Sequence, residues 1–294
     1  MIRRALLSLS RQKRIQEISA SAPVTRSVVA RFVAGETEPD AVRAAGELAG
    51  EGLLSTIDHL GKDILERGQA DATRDAYVRL LAGLDEAGLA AAAEVSVKLS
   101  AVGQALSGDG EKIALDNARV ICEAAKAAGT TVTLDMEDHT TTDSTLAILR
   151  ELRQDFPGTG AVLQAYLYRT EQDCRDLAYE GSRIRLCKGA YKEPESVAFQ
   201  AKVDVDKAYV RCMRILFDSP SYPMIASHDP RLVEIAGALA TRADRAKGTY
   251  EHQMLYGVRP EEQRRLVKAG ERMRVYIPYG AEWYGYMVRR MAEK

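Results

Sequence analysis

Short apolar runs punctuate this chain at regular intervals, and the segments between them are rich in alanine and charge. The runs cover residues 53–60, 94–99, 131–136, 161–167, 184–190, 223–227, 249–255 and 274–278. Each has the length of a strand, while intervening segments such as 112–128 and 230–246 carry apolar residues at helical period. Strands alternating with helices predict parallel βαβ units. Eight such units over this length predict an α/β fold of the (β/α)8 TIM-barrel class. An open doubly wound sheet is the main competitor, but no G-x-G-x-x-G follows a strand. Residues 1–48 read as a helical arm, with Leu6, Leu9, Ile15 and Ile18 at helical spacing and an alanine-rich stretch at 38–49. The expected division is an arm at 1–48 and a barrel domain at 49–294, with no low-complexity linker.

Composition narrows the class. The 294 residues are 46% hydrophobic and 28% charged, enough to bury a sizeable core. The net charge of −1 provides no global field for nucleic acid. Cys122, Cys174, Cys187 and Cys212 are scattered without metal-ligand spacing, as in a reduced cytoplasmic protein. No apolar run approaches the roughly 18–20 residues that span a bilayer. Residues 1–16 are basic through Arg3, Arg4, Arg11, Lys13 and Arg14, and Ala5, Leu6 and Leu7 are too few for a secretory signal. A helix packed on the domain is the expectation for this segment, and a weak peripheral membrane contact is the alternative.

The chemistry gathers at the C-terminal ends of the strands, where barrel active sites lie. In chain order these ends carry Lys98; Asp135, Glu137 and His139; Gln164 and Tyr166; Arg185, Lys188 and Tyr191; Ser227 and His228; Glu251, Gln253 and Leu255; and Tyr276. Burying one polar group without a partner costs several kcal/mol, so many at one end point to a ligand, although each alone is more often structural. Asp135, Glu137, His139 and His228 can be read as a metal site, but no HxH or HExxH pattern supports it. Lys98 can be read as a Schiff-base lysine. Arg185, Lys188, Ser227 and His228 can hold a phosphorylated cofactor, with Gly189 and Ala190 admitting close backbone approach. On a C-terminal helix Tyr286, Arg289 and Arg290 share one face, and two guanidiniums beside a phenol suit one small carboxylate.

Taken in order, VSVKLSA, TLDMED, QAYLYR, RLCKGAY, IASHD, QMLYG and the YIPYG…YxxRR ending resemble the proline dehydrogenase family, over about residues 53–290. The resemblance implies a distorted barrel with its last helix over the mouth, in the monofunctional form. It implies non-covalent FAD held by Asp135, Met136, Gln164, Arg185, Lys188, Gly189, Ala190, Tyr191, Ser227, His228 and Gln253. It implies L-proline bound by Lys98, Tyr191, Leu255, Tyr276, Tyr286, Arg289 and Arg290, with Lys98, Asp135, Arg185, Tyr276, Arg289 and Arg290 as the catalytic set. The implied reaction gives 1-pyrroline-5-carboxylate by hydride transfer to the flavin, with a quinone as acceptor. No metal is expected, and oligomeric state stays open. One departure matters: Lys62 follows Gly61 where the family usually carries an acid that gates the site, leaving Asp58 or Asp63 to take that role. Cys187 and Ser227 are milder changes. A Schiff-base lyase using Lys98 and a non-catalytic barrel that binds a small carboxylate are the competing readings.

Overall fold

A computed structural model describes residues 29–61 and 64–292, those after Met287 as backbone only. Eight strands are present, one in each expected run, with ends displaced by a few residues. They are β1 Leu54–His59, β2 Ala93–Lys98, β3 Val132–Asp135, β4 Ala161–Gln164, β5 Arg183–Cys187, β6 Tyr222–Ala226, β7 Glu251–Leu255 and β8 Met273–Tyr279. The helices are α1 Glu38–Gly50, α2 Arg67–Glu86, α3 Gly110–Ala128, α4 Thr142–Asp155, α5 Thr170–Leu177, α6 Lys202–Phe217, α7 Pro230–Arg242, α8 Pro260–Lys268 and α9 Trp283–Ala292.

All strand pairs are parallel, in the order β3-β2-β1-β8-β7-β6-β5-β4. The remaining edges, β3 and β4, meet through Gly160 immediately before β4. Gly160 donates to the Val132 carbonyl at 2.8 Å and accepts from the Leu134 N–H at 2.9 Å. The sheet is therefore a barrel rather than the open alternative. The seam requires glycine, because a Cβ at 160 would lie 2.5 Å from Thr133 Oγ1.

Alternation along each strand separates two interiors. Ile57, Val95, Val97, Val132, Leu134, Leu163, Ile184, Leu186, Ile225, Met254, Val275 and Ile277 face the helices and form the main apolar cluster. Helix α2 answers with Tyr77, Leu80, Leu81 and Leu84, buried at i, i+3, i+4 and i+7. Each such leucine stabilises the fold by about 1.5–3 kcal/mol. The other strand face points into the barrel, and there most residues are polar, with Val162 on β4 and Met224 on β6 as apolar exceptions. Contacts from β5 to β2 and β1, strands that are not neighbours, can only cross that lumen: Arg183 reaches Glu94, and Arg185 reaches Ser96 and Thr56. The usual apolar layers of such a barrel are replaced by stacked ion pairs.

Both ends of the described chain meet near the end of β8. The Ala34 N–H donates to the Pro278 carbonyl at 3.0 Å, and Gly280 donates to Gly35 at 2.9 Å. Gly257, at φ +71°, leaves the space that the Arg31 carbonyl fills; a Cβ there would stand 1.7 Å from that oxygen. Val33, Leu60, Trp283, Tyr286 and Met287 then form a second apolar cluster, and Trp283 Nε1 donates to Glu36 at 3.1 Å. This cluster seats α9 against residues 29–36. Among the described residues no helix is long and apolar enough to cross a membrane. The basic stretch 1–16 lies outside the described residues, as do Lys62 and Asp63.

The seam gives a first prediction. Gly160→Ala forces Thr133 aside and lowers the unfolding free energy by about 1–3 kcal/mol, read as a drop in the urea midpoint. An unchanged midpoint would show that the seam has slack.

Candidate active site

Three levels of charge fill the lumen. At the N-terminal side, Glu94 and Glu251 neutralise Arg183 and Arg274. Arg183 Nη2 lies 2.6 Å from Glu94, and Arg274 Nε and Nη2 reach the two Glu251 oxygens at 2.7 and 3.1 Å. Thr131 and Thr133 also donate to Glu94. Burial pushes the Glu94 carboxyl up, but Arg183, Arg274 and Arg185 outweigh it and bring it down to about 2.

Above this level lies Arg185, 3% exposed. Its Nη1 contacts Asp135 Oδ1 at 2.7 Å and donates to Ser96 Oγ at 3.0 Å, and its Nε donates to Gln253 Oε1 at 2.6 Å. Gln253 passes the linkage down, its Nε2 donating to Glu251 at 2.6 Å. Asp135 is fully engaged. Oδ1 accepts from Arg185 and Ser96, and Oδ2 accepts from the Tyr276 hydroxyl at 2.7 Å. Burial raises the Asp135 carboxyl, yet Lys98 and Arg185 together hold it below its ordinary value. The Arg185 guanidinium also lies over the Tyr276 ring, 5.4 Å from its centre.

Lys98 tops the stack, at the C-terminal end of β2. Its ammonium lies 2.6 Å from Asp58 and 3.5 Å from Asp135, and donates to Tyr276 at 3.3 Å. Burial lowers its affinity for a proton, but Asp58 and Asp135 more than restore it, so Lys98 is a cation. A Schiff-base lysine needs the opposite, a depressed pKa, and this geometry counts against the lyase reading. Burial raises the Asp58 carboxyl above its ordinary value; Lys98 offsets part of the rise and Asp135 adds to it.

The remaining candidates surround this stack. Gln164 is buried and donates to the Glu137 carbonyl at 2.7 Å across the β3–β4 seam. Leu255 and Tyr276 are half-buried at the mouth. His228 accepts the Leu255 N–H at Nε2, 2.9 Å away, so its imidazole holds β7 against the loop after β6. Ser227 Oγ accepts from the Asp229 N–H, and Asp229 caps α7 by accepting from the Arg231 N–H. Lys188 is bound by Asp206 at 2.5 Å and Asp229 at 3.3 Å. Gly189, at φ +118°, faces the ring of Tyr166, which fills the place of a Cβ. That neighbour accounts for the glycine without a ligand. Ala190 and Tyr191 are exposed beside it.

Two side chains that the resemblance assigns to the site also pack in apolar clusters. Met136 is buried in the main apolar cluster, and Tyr286 is buried in the cluster that seats α9. Arg289 and Arg290 lie in α9, with side chains outside the described residues. The four candidate metal ligands are otherwise committed: Asp135 to Arg185, Glu137 to Ser100, His139 to Glu193 and His228 to Leu255. Among the described residues no group of three or more His, Cys, Asp or Glu could hold a metal ion. Attention to strand ends alone overlooked Glu94, Arg183 and Arg274, and it credited Asp58 only as a substitute gate. The signal was the two-residue period: Glu94, Ser96 and Lys98 share one face of β2, as Arg183 and Arg185 share one face of β5.

A closed parallel barrel with a charged lumen that ends in Lys98, Asp58 and Asp135 at its C-terminal mouth has the architecture of a barrel enzyme. Comparison with known proteins gives the family. The model of the proline dehydrogenase family matches residues 41–294. Proline dehydrogenase 1 of Bacillus subtilis is 38% identical over 294 residues, all of this chain and 95% of that protein. Proline dehydrogenase of Deinococcus radiodurans is 37% identical, again over the whole chain and 94% of the relative. Among solved structures, proline utilization A from Bdellovibrio bacteriovorus, inactivated by N-propargylglycine, superposes with a TM-score of 0.83 at 25% identity. That match covers 91% of this chain but 32% of the larger protein. The chain belongs to the proline dehydrogenase family.

The lower ion pairs predict acid behaviour. Glu94 sits at about 2 in the folded protein against an ordinary 4.5, so the unfolded chain binds the proton more readily between those values. The stability it contributes is complete above about pH 4.5 and is lost as pH falls through 2, on the order of 3 kcal/mol in all. Glu94→Gln should be less stable than the parent at neutral pH, with a flatter stability profile from pH 4.5 to 2 in urea titrations. Parallel profiles would locate the acid sensitivity elsewhere.

Proposed function

We infer that this protein is a proline dehydrogenase that oxidises L-proline to 1-pyrroline-5-carboxylate with FAD as its cofactor. The observation that carries the reading is the membership of the family together with the Lys98 cation held at the barrel mouth beside Tyr276 and Leu255. The donor set suits a flavin dinucleotide. Arg185, Gln253 and Gln164 offer a buried cation and amides where a polar ring could lie. Lys188 and Ser227 offer a cation and a hydroxyl suited to phosphate. Lys188 is already paired with Asp206 and Asp229, so phosphate must share or replace those partners. When bound, the flavin supplies the acceptor for the hydride that leaves the ring carbon next to nitrogen.

The chain's own residues orient the substrate. Lys98 presents a cation for the proline carboxylate, with Arg289 and Arg290 of α9 assigned to the same group by the family motif. Fixing the carboxylate fixes the ring, a proximity effect that requires reacting atoms about 3–3.5 Å apart. Tyr276 and Leu255 wall the ring, and Tyr191 belongs to the same wall in this reading. Arg185 is locked by Asp135, Ser96 and Gln253, so its charge needs no reorganisation during reaction. The amine must be neutral for hydride loss, so the rate should rise with pH. A quinone-type acceptor, supported by the family resemblance, completes the reading.

The test is the visible spectrum of the FAD-supplemented protein. Absorbance near ~450 nm should appear and bleach when L-proline is added without oxygen. Lys98→Met should retain the flavin band but lower kcat/KM by about 100-fold or more, as expected for losing a charge-assisted contact to the substrate. Protein that binds no flavin, or flavin that stays oxidised with proline, would overturn the reading.

A further inference from the structure

Asp58 is absent from the residues that the family motifs assign to this site, yet it is the nearer of the two carboxylates on Lys98. Its Oδ2 lies 2.6 Å from the ammonium, whereas Asp135 Oδ2 lies 3.5 Å away. The two carboxylates are not equivalent. Asp135 spends both oxygens on Arg185, Ser96 and Tyr276. Asp58 accepts nothing at Oδ1, a buried oxygen without a hydrogen-bond partner. A buried carboxylate with an idle acceptor is costly, and a purely structural position would be better filled by a neutral residue. Exposure is also split. The Asp58 side chain is 2% exposed and the Lys98 side chain 27%, so the anion lies beneath and the cation faces the mouth.

We propose that Asp58 is a positioning residue for substrate binding, holding the Lys98 ammonium on the β1 side of the lumen where it meets the substrate carboxylate. The proposal rests on the reading of the site as one for proline. Without Asp58 the nearest remaining carboxylate is Asp135 on β3, and moving there draws the ammonium across the lumen from the β1 side to the β3 side, away from the position that meets the substrate carboxylate. The sign of the effect separates this role from simple charge balance. If Asp58 only neutralised Lys98, its removal would leave the site more positive and bind a carboxylate more tightly. If it positions Lys98, its removal weakens binding.

The experiment uses the full chain loaded with FAD and the variant Asp58→Asn, which keeps shape and removes charge. The expected result is a KM for L-proline raised about tenfold or more with kcat changed less than about threefold, the signature of lost binding shared by ground and transition states. Cyclopentanecarboxylate, which has the ring and carboxylate but no amine, should show a matching rise in Kd by calorimetry. In a Lys98→Met background, Asp58→Asn should add nothing further to that Kd, because no ammonium remains to be placed. An unchanged or tighter Kd in the single variant, or an additive loss in the double variant, overturns the proposal. Should Asp58→Asn fail to fold, Asp58→Glu keeps the charge and shifts it by one methylene; a raised Kd there supports the proposal, and an unchanged Kd overturns it. The parent protein is the control for the underlying reading. A parent that does not oxidise proline fails that reading, whereas an active parent with an indifferent Asp58→Asn fails only this inference.

Discussion

The contact between Arg185 and Asp135, 2.7 Å long and buried in the centre of the barrel, is the interaction on which the remaining lumen depends. It joins β5 to β3 across the interior and fixes the two groups from which both neighbouring levels are built. Below it, Gln253 can satisfy Arg185 only by turning its amide toward Glu251, which then orients Arg274. Above it, Asp135 has one oxygen left for the Tyr276 hydroxyl, and that hydroxyl sets the wall beside Lys98. Removing either partner would break a buried, hydrogen-bonded ion pair and leave only the more distant Lys98, 3.5 Å from Asp135, or Glu94, 3.9 Å from Arg185, to compensate the remaining charge, a loss of up to about 3–5 kcal/mol.

A lumen of this kind is a poor way to gain stability. Taking ions out of water is costly, and well-packed apolar side chains of similar volume often serve as well or better. The apolar driving force lies instead between the strands and the helices, where the leucines, valines and isoleucines gather. The two jobs are separated by the pleat itself: on β1, β2, β3, β5, β7 and β8 one face holds the fold together and the other holds charge in place. Four carboxylates (Asp58, Glu94, Asp135 and Glu251) balance four cations (Lys98, Arg183, Arg185 and Arg274). The interior is neutral as a whole but strongly polarised locally, which suits an environment organised before substrate arrives.

The architecture was legible because parallel strands covered by helices must be apolar on at least one face, and eight such runs recur along the chain. The polar candidates were legible as residue types and as strand ends. Their partners were less so. Nothing in the string says that Lys98 turns to Asp58, a residue forty positions earlier, because β1 and β2 are adjacent only after the barrel forms. Nor does the string say that Tyr166 packs against Gly189 where a Cβ would stand, a contact that calls for glycine in its own right. Tyr286 has the right helical spacing to join Arg289 and Arg290, but helical spacing does not reveal that the same face also seats the helix through Val33, Leu60 and Trp283.

The closing seam at Gly160 has an effect on motion. Seven strand pairs are held by ladders, while β3 and β4 are held by one glycine bridge and, above it, by the Gln164 amide on the Glu137 carbonyl. Local opening follows the line of fewest backbone bonds, so the wall of this barrel should breathe there before anywhere else. Asp135 and Gln164 stand on opposite lips of that line. The weakest join in the cylinder therefore runs between Asp135 and Gln164, and slow amide exchange elsewhere in the sheet can coexist with a wall that parts and reseals there.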